Sequence, residues 1–111
     1  MLQLFLVMLM YKNISQETAK KIMDTQPCLV LDVRTEDEFV LGHVENSVCI
    51  PVDDLDKRLD ELPDKEQTIL VCCRSGKSSK LAAEYLDSQG YKNVYDFGGL
   101  VYWRYGYVEW D

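Results

Sequence analysis

Residues 68–89 read TILVCCRSGKSSKLAAEYLDSQ. An apolar run, Ile69, Leu70 and Val71, leads into Cys72 and Cys73. Residues 74–79 are small, polar or basic, with no acidic side chain among them. Beyond them Leu81, Ala82, Tyr85 and Leu86 recur at one-turn spacing, the pattern of an amphipathic helix. Gly90 stands where a helix C-terminal glycine belongs. The stretch predicts a buried strand, a tight loop and a helix, with Cys73 the last residue before the turn. By strand alternation Cys72 faces the other side and is expected in the core.

That arrangement has chemical consequences. The first N–H groups of a helix lack intrahelical partners, and the helix dipole adds partial positive charge there, so anions bind. A thiol at the mouth of such a loop is held more readily as the nucleophilic thiolate. Arg74 and Lys77 add positive charge to the loop. Gly76 supplies the backbone freedom of a tight cradle. Ser75, Ser78 and Ser79 bring hydroxyls that bind an anion or cap the helix. Cys73 is the candidate nucleophile, and Arg74, Ser75, Gly76, Lys77, Ser78 and Ser79 form the candidate anion site.

The chain has 111 residues, the size of one domain, and its 47% hydrophobic content supports a core. A formal net charge of −7 argues against nucleic acid and anionic membranes as partners. Cys28, Cys49, Cys72 and Cys73 all lie in apolar, strand-like contexts, which points to buried thiols in a reduced, cytoplasmic protein. There is no C-x-x-C pair, and His43 is the only histidine, so no metal and no cofactor are expected. The opening MLQLFLVMLM is apolar at every position but Gln3, yet it lacks a basic n-region and is too short to span a bilayer. Residues 1–10 are therefore expected to be an apolar extension, with residues 11–111 as one domain. The protein is expected to be a monomer or a weak homodimer, the latter through that apolar segment.

The rest of the chain alternates strand and helix signals. Residues 11–14 predict a short strand, and Ser15 caps a helix through about Asp24 with Ala19, Ile22 and Met23 inward. Residues 28–33, CLVLDV, read as a strand buried on both faces. Thr35 and Glu38 form a capping-box pattern, and Gly42 ends the short helix it opens. Residues 48–50 predict a strand closed by Pro51, and Leu55, Leu59 and Leu62 a helix over 53–62 that Pro63 stops. Residues 94–97 predict a last strand, Gly98-Gly99 a sharp turn, and residues 100–105 a final helical turn with Trp103 inward. The aromatic tail, residues 106–111, is expected to pack on the body. The pattern gives an α/β domain of three layers with a largely parallel sheet. Sites in such sheets lie at the C-terminal strand ends, where Cys73 and the segment from Asp32 to Arg34 both fall.

Asp32, an aspartate in an apolar strand, must be hydrogen-bonded or paired. It is expected to support the cysteine loop, with Arg34 pairing Glu38 or another carboxylate. His43, directly after Gly42, is expected to bond a neighbouring loop as scaffold.

Three separated motifs now come together: Leu31-Asp32-Val33-Arg34 with Glu38 and Phe39; Gly42-His43-Val44 through Ile50-Pro51; and residues 71–79 with Gly98-Gly99 and Trp103. In this order and spacing the chain resembles a single-domain rhodanese, a sulfurtransferase module, over about residues 11–105. The resemblance implies a rhodanese-like α/β/α fold with a five-stranded, mainly parallel central sheet. It also implies a persulfide mechanism, with Cys73 carrying the sulfur and residues 73–78 cradling the anion. Ser78 stands where many active members carry Arg or Thr. The implied partners are a small anionic sulfur donor, such as thiosulfate or a persulfide, and a thiophilic acceptor, cyanide or a thiol; a protein acceptor is a further one. Two other readings compete. A cysteine-dependent phosphatase or arsenate reductase would need an arginine after five intervening residues, but that count from Cys73 reaches Ser79 and from Cys72 reaches Ser78. A non-catalytic binding or sulfur-carrier module is the other alternative, and such modules usually lack the cysteine present here.

Overall fold

The computed structural model describes residues 10–109. Of the apolar segment 1–10 only Met10 falls within this range, where its backbone N–H donates to Asp87 Oδ2 at 2.7 Å. The expectation of an extension otherwise lies outside the described residues.

In chain order the elements are β1 (Lys12–Asn13), α1 (Gln16–Thr25), β2 (Leu29–Asp32), α2 (Glu36–Leu41), β3 (Val48–Cys49), β4 (Thr68–Cys73), α3 (Lys77–Ser88) and β5 (Asn93–Gly99). Short 3-10 segments occupy Val52–Lys57, Leu59–Glu61 and Leu100–Tyr102. The sheet runs β1-β5-β4-β2-β3 with every pairing parallel, as expected. β4 lies at its centre, and the alternation of its side chains divides the core. Ile69, Val71 and Cys73 meet Ala82, Ala83 and Leu86 of α3 together with Leu55 and Leu62. Leu70 and Cys72 meet Ala19 of α1, Leu100 and Trp103 on the other face. Cys72 thus lies opposite Cys73, as predicted.

The helix boundaries follow local chemistry. Ser15 accepts from the Thr18 N–H at 3.0 Å and caps α1. Thr35 and Glu38 exchange both bonds of a capping box at the start of α2, and Gly42 closes it. α3 ends with the Tyr91 N–H on the Leu86 carbonyl and the Gly90 N–H on that of Asp87, a Schellman pair made possible by the positive φ of Gly90.

Four expectations are corrected. The leucines at 55, 59 and 62 sit on two 3-10 segments, not one helix over 53–62. Four aspartates in ten residues favour helix poorly, and Arg58 takes a non-helical φ of −125° between the segments. The buried positions of α3 are Ser79, Ala82, Ala83 and Leu86, which turns Leu81 outward to solvent. Gly98-Gly99 is no sharp turn: both residues belong to β5. Residues 100–105 begin with only the 3-10 turn Leu100–Tyr102 before the chain becomes irregular, although Trp103 is buried as expected.

The glycine pair does something else. Val71 is opposite Asp96 but Cys72 is opposite Gly98, so Phe97 is an extra residue and β5 bulges. Gly98 takes φ +85°, and its N–H donates to the buried Asp96 carboxylate at 2.9 Å. The bulge sets Gly99 under the loop that follows β4. A Cβ on Gly99 would lie 2.7 Å from the Arg74 carbonyl oxygen and 2.8 Å from the Ser75 backbone. Gly99→Ala is therefore expected to push that loop off the sheet and to cost about 1–3 kcal/mol, as overpacking does. Urea unfolding measures the loss, and an unchanged midpoint would contradict this account of the close approach.

Candidate functional site

Cys73 ends β4, and its sulfur is buried at the base of a cleft at the C-terminal edge of the sheet. The Gly76 N–H donates to Cys73 Sγ at 3.0 Å. Gly76 reaches that position with φ +103° as the N-cap of α3, a conformation L side chains rarely take. The loop is tied from the other side, where the Val101 N–H donates to the Arg74 carbonyl at 3.1 Å. Main-chain bonds thus fix the loop and bring one amide onto the thiol.

The cleft has a volume of about 210 Å³. Cys73, Arg74, Ser75 and Ser78 form one wall. Val33, Arg34, Thr35 and Glu38 form a second, and Pro51, Val52 and Asp53 a third. Ladder bonds continued past the strand ends bring these walls together. The Val33 N–H donates to the Cys72 carbonyl at 2.9 Å, and the Val52 N–H to that of Val33 at 3.1 Å.

Of the predicted anion-site residues, Ser78 faces the cleft with Arg74 and Ser75. Lys77 opens α3 as an exposed residue outside the lining. Ser79 is fully buried beneath the first turn of α3, where its hydroxyl donates to the Gly76 carbonyl at 3.1 Å, so it neither caps the helix nor reaches the cleft. Sequence reading missed Thr35, Glu38 and residues 51–53 as cleft walls. Pro51 at a strand end was the visible signal, and nothing local aims Asp53 at a cysteine twenty residues away.

Asp32 bonds Arg34 and not the cysteine loop. Arg34 Nε lies 3.0 Å from both carboxylate oxygens, and its terminal Nη2 2.7 Å from Oδ2. The same Nη2 donates to the Gly42 carbonyl at 2.7 Å, which ties the end of α2 to the cleft. Glu38 was the rival partner, but it is engaged in the capping box. Burial works against the Arg34 charge, yet the Asp32 bonds outweigh it and hold the guanidinium more firmly protonated than an ordinary arginine. His43 is scaffold: its Nδ1 hydrogen-bonds the Phe39 carbonyl at 2.8 Å, its ring stacks on Phe39, and its backbone pairs with Val108. That pairing docks the part of the aromatic tail within the described residues.

Burial holds the other three thiols toward the protonated form. Burial pushes Cys49 up to about 11, with Asp32 and Glu36 adding to the shift. Burial raises Cys72 well above the ordinary thiol range and raises Cys28 as well. Iodoacetamide at neutral pH is therefore expected to modify Cys73 first, as read by peptide mass mapping; prior labelling of Cys28 or Cys49 would contradict the site. Arg34→Ala would strand the buried Asp32 carboxylate and is expected to cost about 3–5 kcal/mol in urea unfolding.

Comparison with known proteins agrees with this geometry. Residues 15–105 match the family described as Rhodanese-like domain. A sulfurtransferase of Allochromatium vinosum is 33% identical over 94 residues, covering 83% of this chain and 87% of that protein. The thiosulfate sulfurtransferase GlpE of Coxiella burnetii is 34% identical over 97 residues, 86% of this chain and 90% of that one. The crystal structure of a rhodanese-like domain protein from Staphylococcus aureus superposes with a TM-score of 0.81 at 27% identity, covering 90% of this chain and 99% of the other. With a cysteine that accepts the Gly76 N–H at the base of a cleft at the edge of a five-stranded parallel sheet, the chain belongs to the rhodanese-like family, whose sulfurtransferase members it resembles along most of its length.

Proposed function

We propose that the protein transfers a sulfane sulfur through a persulfide on Cys73. In the first half-reaction the Cys73 thiolate attacks the outer sulfur of a donor. With thiosulfate, the donor's S–S bond breaks, sulfite leaves with the electron pair, and Cys73 keeps the sulfur as Cys73–S–S⁻. In the second half, a thiophilic acceptor attacks that outer sulfur and the pair returns to Cys73. With cyanide the product is thiocyanate. This is covalent catalysis of the ping-pong kind.

The observation that carries the reading is the Gly76 N–H on Cys73 Sγ at the base of a cleft large enough for a small sulfur compound. A preorganised amide stabilises negative charge on sulfur as it comes and goes, and removing one such donor typically costs about 3 kcal/mol of barrier. No proton changes hands in either half-reaction, so a thiolate nucleophile needs no general base.

The test is thiocyanate formation from thiosulfate, and separately from an organic persulfide, by wild type and Cys73→Ser. Loss of the nucleophile is expected to lower the rate by at least about 1000-fold. Activity surviving in Cys73→Ser would overturn the assignment. A wild type inactive with every sulfane donor would favour a non-catalytic module instead.

A further inference from the structure

The C-terminal tail reaches the cysteine loop through one side chain, Tyr107, which lies outside the residues 15–105 that match the family. The backbone on one side of it is docked by two bonds exchanged between His43 and Val108, at 2.9 and 2.8 Å. On the other side the Trp103 indole N–H donates to the Gly106 carbonyl at 3.0 Å. From that fixed position Tyr107 lines a depression of about 440 Å³ beside the cysteine cleft, together with Arg34, Glu38 and Arg74 of the cleft walls. Near its backbone, a Cβ on Gly42 would lie 3.6 Å from the Tyr107 Cβ, at the residue whose carbonyl accepts from Arg34. At its far end the hydroxyl donates to the Leu100 carbonyl. Burial pushes the Tyr107 phenol up, against the opposing pull of Arg34, so the hydroxyl keeps its proton and stays a donor at neutral pH.

The Leu100 carbonyl belongs to the same rigid peptide as the Val101 N–H. That N–H donates to the Arg74 carbonyl at 3.1 Å. One residue, Ser75, separates Arg74 from Gly76, whose N–H meets Cys73 Sγ at 3.0 Å. A line of bonds therefore runs from the Tyr107 hydroxyl, across one peptide, to the loop that carries the amide to the sulfur. A donor on a peptide's oxygen polarises the group and strengthens the bond that its N–H makes. The close approach at Gly99 limits how near the loop can come, and the Val101 N–H supplies the hold. The Trp103 N–H also donates to the Leu100 carbonyl at 2.9 Å, so without the hydroxyl that oxygen is still satisfied. The hydroxyl thus acts on the bond beyond it more than on the stability of the fold.

We propose that Tyr107 is a positioning residue for the Cys73 loop: its hydroxyl, acting through the Leu100–Val101 peptide, steadies the Gly76 amide on the sulfur. The consequence for sulfur transfer rests on the persulfide reading of Cys73. An amide aimed at the sulfur works in the step that moves charge there, so a looser loop lowers kcat and leaves KM in place.

The test compares wild type with Tyr107→Phe, which keeps the ring and removes only the hydroxyl. One rate is alkylation of Cys73 by iodoacetamide at neutral pH, read by peptide mass mapping. The other is thiocyanate formation from thiosulfate and cyanide, expressed per titratable Cys73 thiol. Each is expected to fall about fivefold, the effect of one net hydrogen bond, with KM for thiosulfate within about twofold of wild type. A wild-type alkylation rate would overturn the proposal, and so would an unchanged kcat in an active enzyme. A raised KM with kcat unchanged would make Tyr107 a donor contact and overturn it as well. So would a lower urea midpoint with both rates per thiol intact, the mark of a residue that serves the fold alone. Should Tyr107→Phe not fold, Val108→Pro removes the N–H that docks the tail on the His43 carbonyl; the same fall in alkylation is expected, and an unchanged rate would overturn the proposal. The alkylation arm needs no sulfur donor. A wild type that takes up no sulfur would remove the persulfide reading, while the alkylation rates would still decide the positioning role.

Discussion

The backbone of Arg74 and Ser75 passes so close over Gly99 that no side chain fits between them. That approach depends on the bulge at Phe97, which advances β5 by one residue and brings a glycine under the loop. From it follow the turn of the chain after Cys73, the left-handed Gly76 and the amide that meets the sulfur at 3.0 Å. The buried Asp96 carboxylate holds the bulge through the Gly98 N–H, so a polar group within the sheet sets the position of the reactive atom without touching it. Hydrophobic burial along β4 fixes where the strand ends, and main-chain geometry does the rest.

The opposite wall is organised by charge. Asp32 is completely buried and is made tolerable by Arg34, which spans from that carboxylate to the Gly42 carbonyl. The pair joins the end of β2 to the end of α2 and keeps Arg34 from acting as an unencumbered anion binder. Arg74 and the start of α3 then bring positive charge to the cysteine's side of the cleft, opposed by Glu38 and Asp53. The cleft is polar, with charged side chains of both signs on its walls.

Much of this was legible in the sequence because it is local. The strand, cysteine and helix at 68–89, the capping box at Thr35 and Glu38, and the Ser15 cap each occupy a few consecutive residues whose chemistry has one good solution. What escaped reading depends on distance or phase. A bulge adds one residue without altering the composition of a strand, so Gly98-Gly99 resembled a turn. Ser79 passed for a cap because its side-chain type suits both a cap and a buried first turn, and only the phase of α3 against β4 and β5 separates them. Arg34 had two carboxylates within reach in sequence, and the capping box removed one. The walls from residues 33–38 and 51–53 come together through parallel pairing between strands far apart in the chain, which periodicity does not encode.

The proposed sulfur transfer rests on a thiol that the Gly76 N–H meets at the base of a cleft. The most direct measurement is tandem mass spectrometry of the intact protein after brief exposure to a sulfane donor, with fragments covering Cys72 and Cys73 separately. One additional sulfur on Cys73 alone, discharged on addition of cyanide, is the predicted result. Sulfur found on Cys28, Cys49 or Cys72 instead, or none at all, would contradict the account.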